Sequence, residues 1–410
     1  MRSSLALATA LLLITVPVVG CIGSSGTGAP AETANATDPA TNESSTSPLP
    51  EEITGLAELD TVSTEGSGTG IWIDEQRDVL VSANGGGGLQ LYDVSDADNV
   101  TKLGSVGDLS ARDADILRYD GTTYAILAGS SEGIHVVDID DPSEPEHVVS
   151  ADKYGAHNVA SVPGTPYIYD ATAVGADGKA TNPIIPVLDI SDPEDPSWTT
   201  IDIPAEVNGQ PTQSDGCHDV VVRQDLGKAF CAGGGSMYAA GGGETFIWDI
   251  SDDVTDPVWE GVIDNPSIMY HHQALASEDG DLLMINDEFI APNCNGASQG
   301  PVDARQTTAS MWVYNISDTQ NPQLMDQVQV IDEDQNANCG SHFGDLVDGR
   351  EMVTWGWYEA GTLLIDISEP SDTEIVDRID PEGSTWDAKY HDGHVYGSSG
   401  DLQVLDIVGE

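Results

Sequence analysis

The chain has 410 residues, with 13 Lys and Arg against 70 Asp and Glu, a net charge of −57. That imbalance excludes nucleic acid and anionic membrane surfaces as electrostatic partners. Hydrophobic residues make up 39% and fall in short regular runs, so the charge is that of a folded protein from a very salty medium rather than of a disordered chain. Carboxylates stay hydrated there, and their repulsion is screened over about 3 Å at molar salt.

The first element is a signal peptide over residues 1–20: Arg2, then an apolar run from Leu5 to Val19, too short and too early for a membrane span. The run ends in "VVGC". A small residue before cysteine at this place is the pattern at which the cysteine is lipidated, so Cys21 is the expected membrane anchor. An ordinary signal peptide with an incidental cysteine is the alternative. No twin arginine precedes the run, so the general secretion route is expected. Residues 21–53 are rich in Ser, Thr, Ala, Gly and Pro and read as a flexible tether. Asn35 and Asn42 lie there in N-x-[ST] sequons and offer glycosylation sites. The expected location is the cell membrane, lipid-anchored and facing outward.

From residue 54 to residue 410 one pattern recurs, as in "LQLYDVSDADNVTKLGSV", "IHVVDIDDPSEPEHVVS", "IPVLDISDPEDPSWTTI" and "TFIWDISDDVTDPVWEGV". An alternating apolar strand runs into an acidic Ser-Asp-Pro turn, and a second strand leads away. The markers are Asp93, Asp138, Asp189, Asp249, Asn315, Asp366 and Asp406, at gaps of 45, 51, 60, 66, 51 and 40 residues. Two more strands precede each marker. Seven such units predict an all-β fold, a seven-bladed β-propeller of four-stranded antiparallel blades. The last unit lacks an outer strand, and "GLAELDTVS" after the tether is a strand without a unit; pairing the two would close the ring.

The repeat resembles the LVIVD-repeat family of secreted β-propeller proteins, in the form of a haloarchaeal-type lipoprotein. The likeness covers 54–410 and tightens where "GCHD", "YHHQA", "NDE", "CGSH", "WGWYEAG" and "WDAKYHDGHVYGS" follow in order. It implies fold and compartment, and no reaction.

Within that fold, His157, His218, His272 and His342 each open the innermost strand of a blade, ten or eleven residues before the next strand. Four histidines in phase around the mouth of a central channel, with Asp287 and Glu288 on the same face, suit a divalent transition metal such as Zn, Cu, Fe or Ni. A structural collar of hydrogen-bonded imidazoles is the alternative. Strand adjacency predicts the disulfide Cys217–Cys231, and the loops of neighbouring blades that hold Cys294 and Cys339 predict Cys294–Cys339, against a Cys/His metal site. Long insertions after the second strand of blades 3, 4 and 5 would present a binding surface on that face. Trp355, Trp357 and Tyr358 either stack on a ligand there or pack between blades.

Two functions remain open on the sequence. One is a binding module for a surface protein, glycan or small ligand. The other is a metal-dependent oxidase or hydrolase in which Glu288 or Asp287 accepts a proton. P-loop and dinucleotide patterns are absent from the sequence.

Overall fold

Alternation of apolar residues gives each strand two faces, and here both are covered by neighbouring sheets. The computed structural model describes residues 49–171, 174–175, 184–213, 216–235, 243–288, 291–292, 309–330, 338–380 and 384–410. Among these, seven sheets are each built on an antiparallel four-strand meander, A to D. The A strands are Ser67–Asp74, Asp113–Tyr119, Asn158–Ser161, Asp219–Arg223, Tyr270–Ala276, Ser341–Leu346 and Asp387–His391, in blades 1 to 7. Residues of all seven line one axial cavity of about 520 Å³. In the seventh sheet the outermost strand is Ile53–Val62, paired antiparallel with Asp401–Gly409.

The repeated marker is a turn device. The Oδ1 atoms of Asp93, Asp138, Asp189, Asp249, Asn315 and Asp366 accept the backbone N–H two residues on, at 2.8–3.2 Å. The side chain thus mimics a backbone turn and ends strand C.

The core lies between blades. Phe246 and Trp248 of blade 4 pack with Tyr169 and Val187 of blade 3. Trp355 and Trp357 of blade 6 pack with Met284 and Val313 of blade 5, which settles those two aromatics as core. Near the axis the A strands are stitched by side chains. Asp113 and Asp115 accept the N–H of Val159 and Ser161, Gln273 that of Gly344, Asp345 that of Tyr390, and Asp387 that of Ile71. Each stitch joins one blade to the next, beside the few main-chain bonds that cross there, such as Gly70 N–H to the Arg112 carbonyl.

Cys217 and Cys231 form a disulfide, with their Cα atoms 5.3 Å apart and a sequence separation of 14. It ties the start of strand A to strand B in blade 4. Closing a loop of this length removes about 3 kcal/mol of freedom from the unfolded chain. Cys217→Ala/Cys231→Ala should therefore lower the unfolding free energy by roughly that amount, read by urea denaturation; an unchanged midpoint would show that the bond adds no stability.

Residues 1–20, Cys21, Asn35, Asn42, Cys294 and most of the insertions of blades 3, 4 and 5 lie outside the described residues.

Candidate functional site

The four histidines come together. His157 and His218 immediately precede the A strands of blades 3 and 4, and His272 and His342 lie inside those of blades 5 and 6. Their rings follow one another in an arc, with centroids 4.9 Å apart from His157 to His218, 4.3 Å to His272 and 4.0 Å to His342. In blades 5 and 6 the A strand carries a bulge. The register passes from His271↔Asp287 to Ala274↔Ile285, and from Ser341↔Trp357 to Gly344↔Trp355. Two residues there oppose one, which re-aims the side chains of the extra pair. Asn286 fills the gap: its Oδ1 accepts the Gln273 N–H, and its amide donates to the carbonyls of Ser341 and His342.

Glu288 follows strand B of blade 5. Its Oε2 is 3.5 Å from His272 Nε2 and its Oε1 is 3.8 Å from His342 Nε2. The Tyr358 hydroxyl donates to Oε1 at 2.7 Å. Donor atoms of His218, His272 and Glu288 all lie within 4.8 Å of one another, and all three residues are buried. Tyr270 packs on His218, Phe343 on His272 and His342, and Trp386 on His342.

Proton bookkeeping favours a cation here. His342 Nδ1 is 2.7 Å from the Trp386 carbonyl, so that nitrogen carries the hydrogen and Nε2 presents a lone pair. Such a carbonyl brace is the usual support of a metal-binding imidazole. His272 Nδ1 is buried with no hydrogen-bond partner among the described residues. The His342 lone pair and the His272 Nε2 therefore converge on the two Glu288 oxygens, one of which accepts from the Tyr358 hydroxyl. The donor set fits a transition metal of imidazole and carboxylate preference.

Burial sets the electrostatics. It holds His218 and His272 well below the ordinary imidazole range, His342 at about 3 and His157 at about 4, each reinforced by neighbouring imidazoles or by Arg112. It pushes Glu288 up to about 7, against the pull of the Tyr358 hydrogen bond and Arg112. Neutral imidazoles are ready ligands near neutral pH.

The remaining sequence candidates separate. Asp287 is fully buried and its two oxygens accept the N–H groups of Tyr270 and Ala309, so it braces strands and stands outside the three-residue donor group. His157 closes the arc beside His218 and is likewise outside that group. Asp113, Asp115, Asp219, Asp345 and Asp387 line the axial cavity with Lys389, away from the histidines' donor group. Sequence reasoning missed Arg112, which precedes Asp113 in blade 2 as His157 precedes Asn158 and His218 precedes Asp219. Aligning the residue before each A strand would have found it.

No family model and no curated protein matches the chain. Among solved structures it is similar to the β-propeller domain of Myceliophteria thermophila Cps50 (Swd1), with a TM-score of 0.57 at 11% identity over 86% of this chain and 99% of that one. It is also similar to the RRP9 WD40 repeats (TM-score 0.54, 10% identity, 87% and 99% covered) and to U3-55K (0.54, 10%, 86% and 98%). This chain is a seven-bladed β-propeller. At such identities the likeness carries the fold alone, and the histidine arc has to be read from its own geometry.

Proposed function

We propose that the propeller is an extracytoplasmic, lipid-anchored binding module of LVIVD-repeat type, with a divalent transition metal held at one end of its axis by His218, His272 and Glu288. The observation that carries the metal is the convergence of buried donor atoms of His218, His272 and Glu288 within 4.8 Å, with the His272 Nδ1 left without a hydrogen-bond partner among the described residues. Bound there, the metal would act as a Lewis acid toward an added ligand. Glu288 supplies the one carboxylate of the set, Tyr358 orients it, and the Trp386 carbonyl fixes the His342 tautomer. The partner of the module is a surface protein, glycan or small ligand on the face bearing the insertions. The apolar run ending in "VVGC" at Cys21 and the net charge of −57 support an outward-facing place for it.

A second reading, a metal-dependent oxidase or hydrolase, is favoured by one observation. Three protein donors leave a coordination position for water or substrate.

Metal analysis tests the proposal. The chain would be purified from a high-salt host without chelators, beside a His218→Ala/His272→Ala/His342→Ala variant. We expect close to one transition metal per wild-type chain and none in the still-folded variant. No metal in either protein would leave a structural collar.

A further inference from the structure

The end of the axis that holds the histidines also holds a cation. Arg112 is half-buried, and its guanidinium lies 5.7 Å over the Trp386 ring. It is close enough to Glu288, His157 and His342 to bias their protonation. Its Nε is buried without a hydrogen-bond partner, and no side-chain hydrogen bond of Arg112 exists among the described residues. The other buried cation near the axis, Lys389, has its carboxylate at 3.4 Å in Asp387. In a chain of net charge −57 an uncommitted guanidinium is the exception.

Charge balance gives it a task. Arg112 and Glu288 cancel, so a divalent ion at His218, His272 and Glu288 leaves a surplus of positive charge in a buried place, even with Asp287 beside Glu288. Uncompensated charge of that kind is costly in a protein interior. A guanidinium presents parallel N–H donors in a fixed fork that matches the edge of a carboxylate or phosphate. Its packing on Trp386 keeps that fork rigid.

We infer that the site binds a small oxyanion, gripped by the Arg112 fork beside the metal position. This rests on the proposed metal reading for the surplus charge, and on Arg112 alone for the grip. The ligand class is a small carboxylate or a free phosphate.

The experiment titrates oxalate, and separately inorganic phosphate, into wild type, Arg112→Met and Arg112→Lys by calorimetry. Each protein is used metal-free and loaded with Co(II), whose visible absorption reports the coordination sphere. Circular dichroism checks that the variants are folded. The expected result is binding of at least one probe by the wild type, about tenfold or more weaker in Arg112→Met, with Arg112→Lys between them because it keeps the charge and loses the fork. The better probe identifies the oxyanion class. In the Co(II) form the probe should shift the visible bands of the wild type and leave those of Arg112→Met unchanged. Wild type that binds neither probe, or Arg112→Met that binds as tightly as wild type, overturns the inference. Arg112-dependent binding in a protein that takes up no Co(II) supports the anion site and sinks the metal reading. Co(II) uptake without any effect of either probe does the reverse.

Discussion

Glu288→Gln should raise the unfolding free energy of the metal-free protein by about 3 kcal/mol at pH 8 and change it little at pH 4. An unfolded glutamate gives up its proton near 4.5, whereas burial holds the folded Glu288 carboxyl at about 7. The folded state therefore keeps a proton that the unfolded chain releases. Stability from this group is complete below 4.5 and is lost as pH rises to 7, at about 1.4 kcal/mol per unit. Tyr358 and Arg112 draw the value down and Asp287 pushes it up, but desolvation outweighs them. Glutamine keeps the shape and an acceptor for the Tyr358 hydroxyl without the buried charge. Chemical denaturation with chelator at pH 4, 6 and 8 measures the effect. Equal stability of the two proteins at pH 8 would mean that Glu288 carries its charge without strain. With metal present the order should invert, because the variant forfeits the ligand-linked gain of about 4.1 kcal/mol at a thousandfold excess over Kd. A residue that weakens the empty fold and strengthens the loaded one is expected at a binding site.

The second large effect is at Lys389. Its ammonium sits 3.4 Å from Asp387 and 4.7 Å over the Trp72 ring, fully within the channel wall. Burial alone would drive its proton off, yet Asp387, Asp345 and Asp113 together hold it above the ordinary lysine range. Lys389→Met removes the ammonium and leaves those carboxylates facing one another. Taking one partner from a buried ionic group costs about 3–5 kcal/mol, and that loss is expected at pH 8. At pH 5 the sign should fade or reverse. Burial lifts Asp115 and Asp345 to about 6 and Asp219 to about 7, so these groups are largely neutral there and no longer need the cation. A destabilisation independent of pH would show that Lys389 acts through packing of its stem rather than through charge.

The parts of this molecule that were legible in its sequence are those set within a few residues. The Asp-Ile-Ser-Asp turn closes on itself two residues away, so its recurrence gave the number of blades and the phase of the histidines. Cys217 and Cys231 were pairable because one hairpin joins them. What escaped depends on bulges and on neighbours across blades. His272 and His342 face the axis because two residues oppose one in their ladders, and no residue type announces that count. Asp287 and Glu288 are adjacent and equally acidic. Only the end of strand B at Asp287 separates a strand brace from a donor beside His272. Asn286, in the quoted "NDE", carried no signal for the carbonyls it binds in the next blade.

The circle has two seams, one inside blade 7 at the rim and one between blades 7 and 1 nearer the axis. The outer seam is the ladder between Ile53–Val62 and Asp401–Gly409. The inner one includes the bond from the Ile71 N–H to Asp387 and that from the Gly68 N–H to the Gly400 carbonyl. A pull on the chain before Ile53 loads the rim first, and the rim can gape while the hub stays pinned. Damage at the circumference is thus contained before it reaches the histidines, in the way a wheel keeps its bearing true when its tyre is torn.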